Sequence, residues 1–397
     1  MKIENVRAVL TGHRILNPEM QRSWALMRIE TDDGTVGWGE ASTNWGHSYP
    51  TVFRTVVEDV CSRHLEGRDA LAIRDRVGDL RVALDGYLGW EGLTSQTIGA
   101  IEIALWDILG KTLGAPIHQL LGGRAYPIPL YGTGTTMFEQ SHDWHAHYFD
   151  QCVSLGFKGV KVRLGRAVDE DVELVRLVRD HVGPDLLIGV DSYWFHDVDS
   201  AIELVGRIAP YRIHFFEEPV PQYQIDGLER LQHSSPIRVA VGERVYSARA
   251  FSELARRDAA RVFEPDATLN GGLLSCMEIA DIAARSSIEV IPHIGGPTVV
   301  GLAANLQWAT AARVRLFEFD IERDQPMITD IGDNPGLGLT DIRDGTLTAP
   351  SGPGLGVDVD ETELAKHPHV EGDTYAELFP EHESGRTAHA GTREENR

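Results

Sequence analysis

Residues 186–243 read LLIGVDSYWFHDVDSAIELVGRIAPYRIHFFEEPVPQYQIDGLERLQHSSPIRVAVGE. Three short apolar runs in this stretch each lead into an acid: Asp191 after LLIGV, Glu217 after IHFF and Glu243 after IRVAVG. The interval is 26 residues both times, close to the roughly 30 that a strand, a crossover helix and the next strand occupy. Strands repeating at that interval run parallel and adjacent. Their acids then stand side by side at the C-terminal face, where such barrels place their chemistry. Three hard oxygen donors with no thiolate among them suit a Mg²⁺ ion. One such acid alone reads equally well as a solvated loop carboxylate; three in register predict a metal site of Asp191, Glu217 and Glu243. Glu218 is expected to point away, because adjacent strand residues face opposite sides.

The rhythm continues on both sides. Upstream, GVKVRLG (159–165) puts Lys161 and Arg163 on one face of a strand. Downstream come RVFEPDA with Asp266, IEVIPHI with His293 and VRLFEFD with Glu318, at intervals of 23, 27 and 25 residues. Between these runs lie DEDVELVRLVRDHV, VDSAIELVGRIA, IDGLERLQHS, ARAFSELARRD, LLSCMEIADIAARSS and VVGLAANLQWATAAR. Their apolar residues recur at three and four positions, as in helices covering a sheet. Alternating strands and helices give an α/β fold with a parallel sheet, and seven or eight such units close a barrel.

Composition bounds the remainder. The 397 residues, 42% of them hydrophobic, suffice for a barrel and a further domain. No apolar run reaches the roughly 18 residues of a membrane span, and MKIENVRAVL opens as strand and not as a signal peptide, so a cytoplasmic protein is expected. Cys61, Cys152 and Cys276 are widely spaced and read as reduced thiols. A net charge of −23 argues against nucleic acid and anionic membrane as partners. The expected partners are a small acidic substrate and further copies of the chain in a homo-oligomer. Lysine occurs only at positions 2, 111, 158, 161 and 366; adaptation to high salt and an arginine-favouring codon bias both account for that.

Several segments together resemble the mandelate racemase branch of the enolase superfamily. They are AIEIALWDILGKTLGAPIHQLLGG (100–123), the Lys161-x-Arg163 pair, the Asp/Glu/Glu triplet, the Asp266…His293 pair and PSGPGLGVDVD (350–360). The resemblance runs from Met1 to about residue 369 and implies a modified TIM barrel, (β/α)₇β, under an α+β capping domain built from both chain ends. The cap is expected over residues 1–125, the barrel over 126–335, a return segment over 336–382 and a disordered tail over 383–397. In the cap, MKIENVRAVLTGHRI, WALMRIETDDG and TVGWGEA read as strands, the last two joined at Asp33-Gly34, a hairpin signal. The loops HRILNPEMQRS and STNWGHSYP correspond to those that close over the barrel mouth in the family. Trp45, His47 and Tyr49 in the second, with Asn44, offer an aromatic wall and polar groups for a small ligand, or pack the cap onto the barrel.

Sites of that superfamily use a Lys or His base with Mg²⁺ to stabilise an ene-diolate, and the resemblance implies this chemistry. One Mg²⁺ on Asp191, Glu217 and Glu243, with cationic Lys161 opposite, would stabilise charge as it develops. A neutral His293 would be the base, its Nδ1–H held by Asp266. Asp–His pairs also occur as purely structural bonds. In the racemase pattern a second Lys stands at position 163. The Arg there stays protonated and is a poor base, which favours one-base dehydration of a sugar acid, aldonate or aldarate, to a 2-keto-3-deoxy acid. Glu318 would bond the substrate carboxylate if protonated, or be a strand-end ion-pair acid. Tyr193 or His196 would meet a substrate hydroxyl or serve as the acid. The alternatives are a cycloisomerase of sugar-acid lactones or anhydro sugar acids, a racemase or epimerase, and a non-catalytic binding homologue.

Overall fold

The computed structural model describes residues 1–14, 21–42, 50–134, 142–321, 326–332 and 336–369. Asn44, Trp45, His47, Tyr49 and the tail beyond residue 369 therefore lie outside the described residues. The chain opens with an antiparallel sheet of β1 (Ile3–Arg14), β2 (Gln21–Thr31) and β3 (Val36–Ala41). Gly34, at φ +84°, makes the turn between β2 and β3, and its N–H bonds the Thr31 carbonyl at 2.8 Å. β2 begins at Gln21, inside the stretch expected to be loop. Helix Leu93–Leu113 covers this sheet. It approaches so closely that a Cβ on Gly39 would lie 1.9 Å from the Ala100 carbonyl oxygen.

Eight parallel strands follow among the described residues: β4 (Ile128–Thr133), β5 (Gly159–Arg163), β6 (Leu187–Asp191), β7 (Phe215–Glu217), β8 (Arg238–Val241), β9 (Val262–Phe263), β10 (Glu289–Val290) and β11 (Phe317–Asp320). Each pairs with the next in chain order from β4 to β10, and β11 pairs with the other edge of β4. A helix follows each of the first seven: His142–Ser154, Val168–Val182, Val198–Ile208, Ile225–Ser234, Ala248–Arg256, Leu273–Arg285 and Val299–Ala312. This is the expected (β/α)₇β order. Between β10 and β11 a side chain bridges the seam, the Ile294 N–H donating to Glu318 Oε2 at 2.8 Å. A short β12 (Thr346–Leu347) lies antiparallel on β4.

Local chemistry explains where these helices begin. Asp197 caps helix Val198–Ile208 by accepting from the Ser200 N–H at 2.8 Å, and Ser247 caps helix Ala248–Arg256 by accepting from Ala250. Ala201, Leu204, Val205 and Ile208 then bury one stripe against the sheet. Inside the barrel, Tyr131, Phe215, Ala240, Val262, Ile291 and Leu316 form a closed apolar plug. A large side chain buried there contributes about 1.5–3 kcal/mol. Gly189 makes room for it, since a Cβ there would stand 2.3 Å from the Phe215 ring. Polar side chains above this plug are thereby held on a dry floor.

Two buried carboxylates fasten the N-terminal layer to the barrel. Glu40 of β3 accepts from the N–H groups of Thr298 and Gly301, both at 3.0 Å, at the start of helix Val299–Ala312. Glu102 accepts from Leu273 at 2.7 Å and Leu274 at 3.2 Å at the start of helix Leu273–Arg285. Helix N-termini leave N–H groups unbonded and carry positive potential, so they suit carboxylates. Burial nevertheless pushes both acids up to about 7. The chain end returns over the same layer: Gly12 donates to the His367 carbonyl at 2.9 Å, and Arg28 pairs with Glu361 at 2.8 Å. Cys61, Cys152 and Cys276 are buried and form no disulfide among the described residues. Among the described residues, no helix is long and apolar enough to cross a membrane.

Candidate active site

Strand register brings the predicted acids together. Arg163 and Asp191 are direct partners across β5 and β6, and Asp191 and Glu217 across β6 and β7. Glu243 follows two residues after β8, Asp266 three after β9 and His293 three after β10. All of these side chains are buried, with no residue more than 5% exposed. Lys161 sits among them, its Nζ 2.7 Å from Glu217 Oε2, 2.5 Å from Glu318 Oε1 and 3.6 Å from Asp191 Oδ2. Arg163 ion-pairs with Asp191, and Tyr193 N–H donates to Asp191 Oδ1 at 2.9 Å. Lys161 and Arg163 thus share a face, as the alternation predicts. Burial disfavours the charged Lys161, but Glu217 and Glu318 outweigh it and hold the amine well above its usual range.

Asp266 is built to orient His293. Its Oδ1 accepts three bonds: Thr268 N–H at 2.8 Å, Thr268 Oγ1 at 2.7 Å and Asn305 Nδ2 at 2.8 Å. Its Oδ2 is left for His293 Nδ1 at 3.2 Å. A carboxylate on Nδ1 fixes the ring's orientation and sends Nε2 towards the cluster, where it lies 3.0 Å from Glu243 Oε2. Burial opposes charge on the ring, but Glu243 and the Asp266 bond hold its pKa well above the ordinary histidine range. The field of these carboxylates alone thus favours the charged ring over the expected neutral one. A divalent cation among the same acids offsets that field and favours the neutral ring.

Ligand atoms of Glu217, Glu243 and His293 converge within 4.8 Å of one another. Asp191 lies alongside but is engaged by Arg163. Hard carboxylate oxygens dominate this donor set, and negative charge is in excess. Burial and then the Asp191 charge push Glu217 up to about 8. The residues present fit a divalent, oxygen-preferring cation.

The structure corrects two expectations, for Glu218 and His196, and adds residues. Glu218 does not point away. β7 ends at Glu217 and Glu218 takes a left-handed φ of +42°, so strand alternation no longer applies. Its buried carboxylate meets Arg244 and Gln222, and Arg244 also bonds Glu243. Glu264, two residues before Asp266, is fully buried, and neither of its oxygens has a hydrogen-bond partner among the described residues. Glu264 is visible in RVFEPDA by its two-residue spacing from Asp266, and Arg244 is the residue immediately after Glu243, just beyond the quoted stretch. Tyr193 lies under the Arg244 guanidinium, 4.2 Å from its ring centroid. His196 is not brought to the cluster. The chain leaves the barrel there to enter helix Val198–Ile208, and His196 Nε2 faces Asp171 at 3.2 Å.

Comparison with known proteins agrees with this geometry. Residues 14–122 match the mandelate racemase / muconate lactonizing enzyme N-terminal domain, and residues 146–363 match the enolase C-terminal domain-like family. The chain is 32% identical over 386 residues to the D-galactarolactone cycloisomerase of Agrobacterium fabrum, covering 92% of this chain and 98% of that one. It is also 32% identical to the arabinonate dehydratase of Saccharolobus solfataricus, over 80% of this chain and 88% of that protein. The 3,6-anhydro-D-galactonate cycloisomerase of Zobellia galactanivorans superposes with a TM-score of 0.83 at 26% identity, covering 93% of this chain and all of that one. A barrel of seven βα units and a last strand, an acid at or just past the end of each of three successive strands, and these two family matches have one reading: the chain belongs to the mandelate racemase/muconate lactonizing enzyme branch of the enolase superfamily.

Proposed function

We propose that this protein is a Mg²⁺-dependent dehydratase of a sugar acid, an aldonate or aldarate, producing a 2-keto-3-deoxy acid. The observation that carries the reading is a single oriented base. His293 is aimed by Asp266 at the acid cluster, while position 163, where a second base would stand, holds an arginine paired to Asp191. Asp191, Glu217 and Glu243 would hold the Mg²⁺, which when bound supplies Lewis-acid stabilisation of the substrate carboxylate oxygens.

The chain's own groups do the rest. Lys161, kept cationic by Glu217 and Glu318, stabilises negative charge as it builds on those oxygens. His293 Nε2 takes the proton α to the carboxylate, and Asp266 stabilises the resulting imidazolium. The electron pair left at the α-carbon expels the β-hydroxyl, which leaves as water with a proton from His293. The enol then becomes the keto acid. Arg163 remains protonated and binds oxygens without removing a proton.

A cycloisomerase of a lactone or anhydro sugar acid is the second reading, favoured by two similar proteins that carry such names. It uses the same base, with a ring oxygen leaving in place of hydroxyl. One base makes a stereochemical prediction that separates both from a racemase. In D₂O, any deuterium at the α-carbon of recovered substrate should enter with retained configuration, by nuclear magnetic resonance. Arg163→Lys, which places a second amine beside cationic Lys161 and can lose its proton once a bound dication offsets the surrounding carboxylates, should add slow epimerisation at a reduced turnover rate. Epimer formation by the wild-type protein would refute the one-base scheme.

A further inference from the structure

Arg244 was absorbed by neither the metal set nor the base pair, yet it is among the most constrained side chains here. Its Nη1 bonds the carboxylates of both Glu243 and Glu218. Its guanidinium lies 4.2 Å from the Tyr193 ring centroid and 4.0 Å from that of Trp194. Those two rings lie against each other, centroids 4.7 Å apart and planes tilted by 30°. The backbone is bent to achieve this, with Tyr193, Trp194 and Glu218 all left-handed at φ 50°, 53° and 42°. Such conformations persist only where the surroundings enforce them and cluster at functional sites. The β6 loop is thus folded back over a cation that straddles the ends of β7 and β8.

We propose that Arg244, gripped by Tyr193 and Trp194, is a positioning residue that sets the Glu243 carboxylate for the metal. It binds Oε1 of Glu243, which leaves Oε2 facing the shared centre, where His293 Nε2 lies 3.0 Å away. It also bridges two buried acids from neighbouring strands. Without a cation between them, Glu218 and Glu243 repel and Glu243 turns from its inward orientation. The planar guanidinium stacks on aromatic faces, which a compact ammonium does less well. Bonds of this kind to ligating carboxylates orient them, and their removal costs about 10–100-fold in metal affinity.

The proposal rests on Glu243 being a metal ligand, and the test separates the two claims. MgCl₂ is titrated calorimetrically into the full-length wild-type, Arg244→Gln, Arg244→Lys and Trp194→Leu proteins without substrate. Arg244→Gln should weaken Mg²⁺ binding about 10–100-fold and raise the Mg²⁺ concentration for half-maximal turnover by the same factor. Arg244→Lys should fall between it and wild type, and Trp194→Leu should weaken binding several-fold. Unchanged or tighter Mg²⁺ binding in Arg244→Gln would overturn the proposal, since Arg244 would then merely compete with the metal for Glu243. If that variant fails to fold, unchanged affinity in both other variants overturns it equally. A wild-type protein that binds no Mg²⁺ would overturn the metal assignment itself, and the proposal with it.

Discussion

His293→Asn is expected to lower turnover of the acid-sugar substrate by roughly 10²–10⁴-fold, the range by which a positioned base accelerates proton transfer, and to abolish exchange of the α-proton with solvent. The reason is geometric. Asp266 spends Oδ1 on Thr268 and Asn305 and keeps Oδ2 for His293, so the imidazole reaches the cluster in a defined orientation. Lys161 cannot substitute, because Glu217 and Glu318 hold it protonated. Mg²⁺ binding should persist in the variant, measured calorimetrically, since the scheme leaves the ring outside the metal set. Retained α-proton exchange with loss of product alone would make His293 the general acid and move the base elsewhere.

Chelation has the second large effect. Protein treated with EDTA should lose turnover and recover it with Mg²⁺. Saturating Mg²⁺ should also raise thermal stability, by about 2.7 kcal/mol at 100 times the dissociation constant. Glu217→Gln should remove both responses. Glu217 is pushed up to about 8 by burial and the Asp191 charge, and a bound dication relieves that directly. Full turnover in chelator would refute the metal role.

The barrel was legible because its signals are periodic. Acids at 26-residue intervals and helices such as Ile225–Ser234 follow from side-chain geometry that repeats, and β6 and β7 align Asp191 with Glu217 as that spacing requires. Lys161 and Arg163 share a face for the same reason. Local departures from periodicity were not legible. Glu218 was misassigned because strand alternation was carried one residue past the end of β7, into a left-handed residue. His196 was grouped with Tyr193 by proximity in sequence, but the capped start of helix Val198–Ile208 carries it out towards Asp171. Glu264 and Arg244 carry little signal of their own, because each lies beside or within two residues of Glu243 or Asp266, whose roles are more obvious. The bonds that make Arg244 noticeable come from three separate loops. The three donors on Asp266, one of them Asn305 from a helix 39 residues away, are a tertiary fact that no spacing announces.

The central claim, dehydration of an open-chain sugar acid, is tested most directly by product formation. The purified protein with Mg²⁺ would be offered a panel of aldonates, aldarates and their lactones, each scored for 2-keto-3-deoxy acid. The account predicts keto product from at least one open-chain acid, dependent on His293, and no epimer of that acid. Turnover confined to lactones or anhydro sugar acids would contradict it in favour of the cycloisomerase, and absence of any turnover across the panel would contradict both.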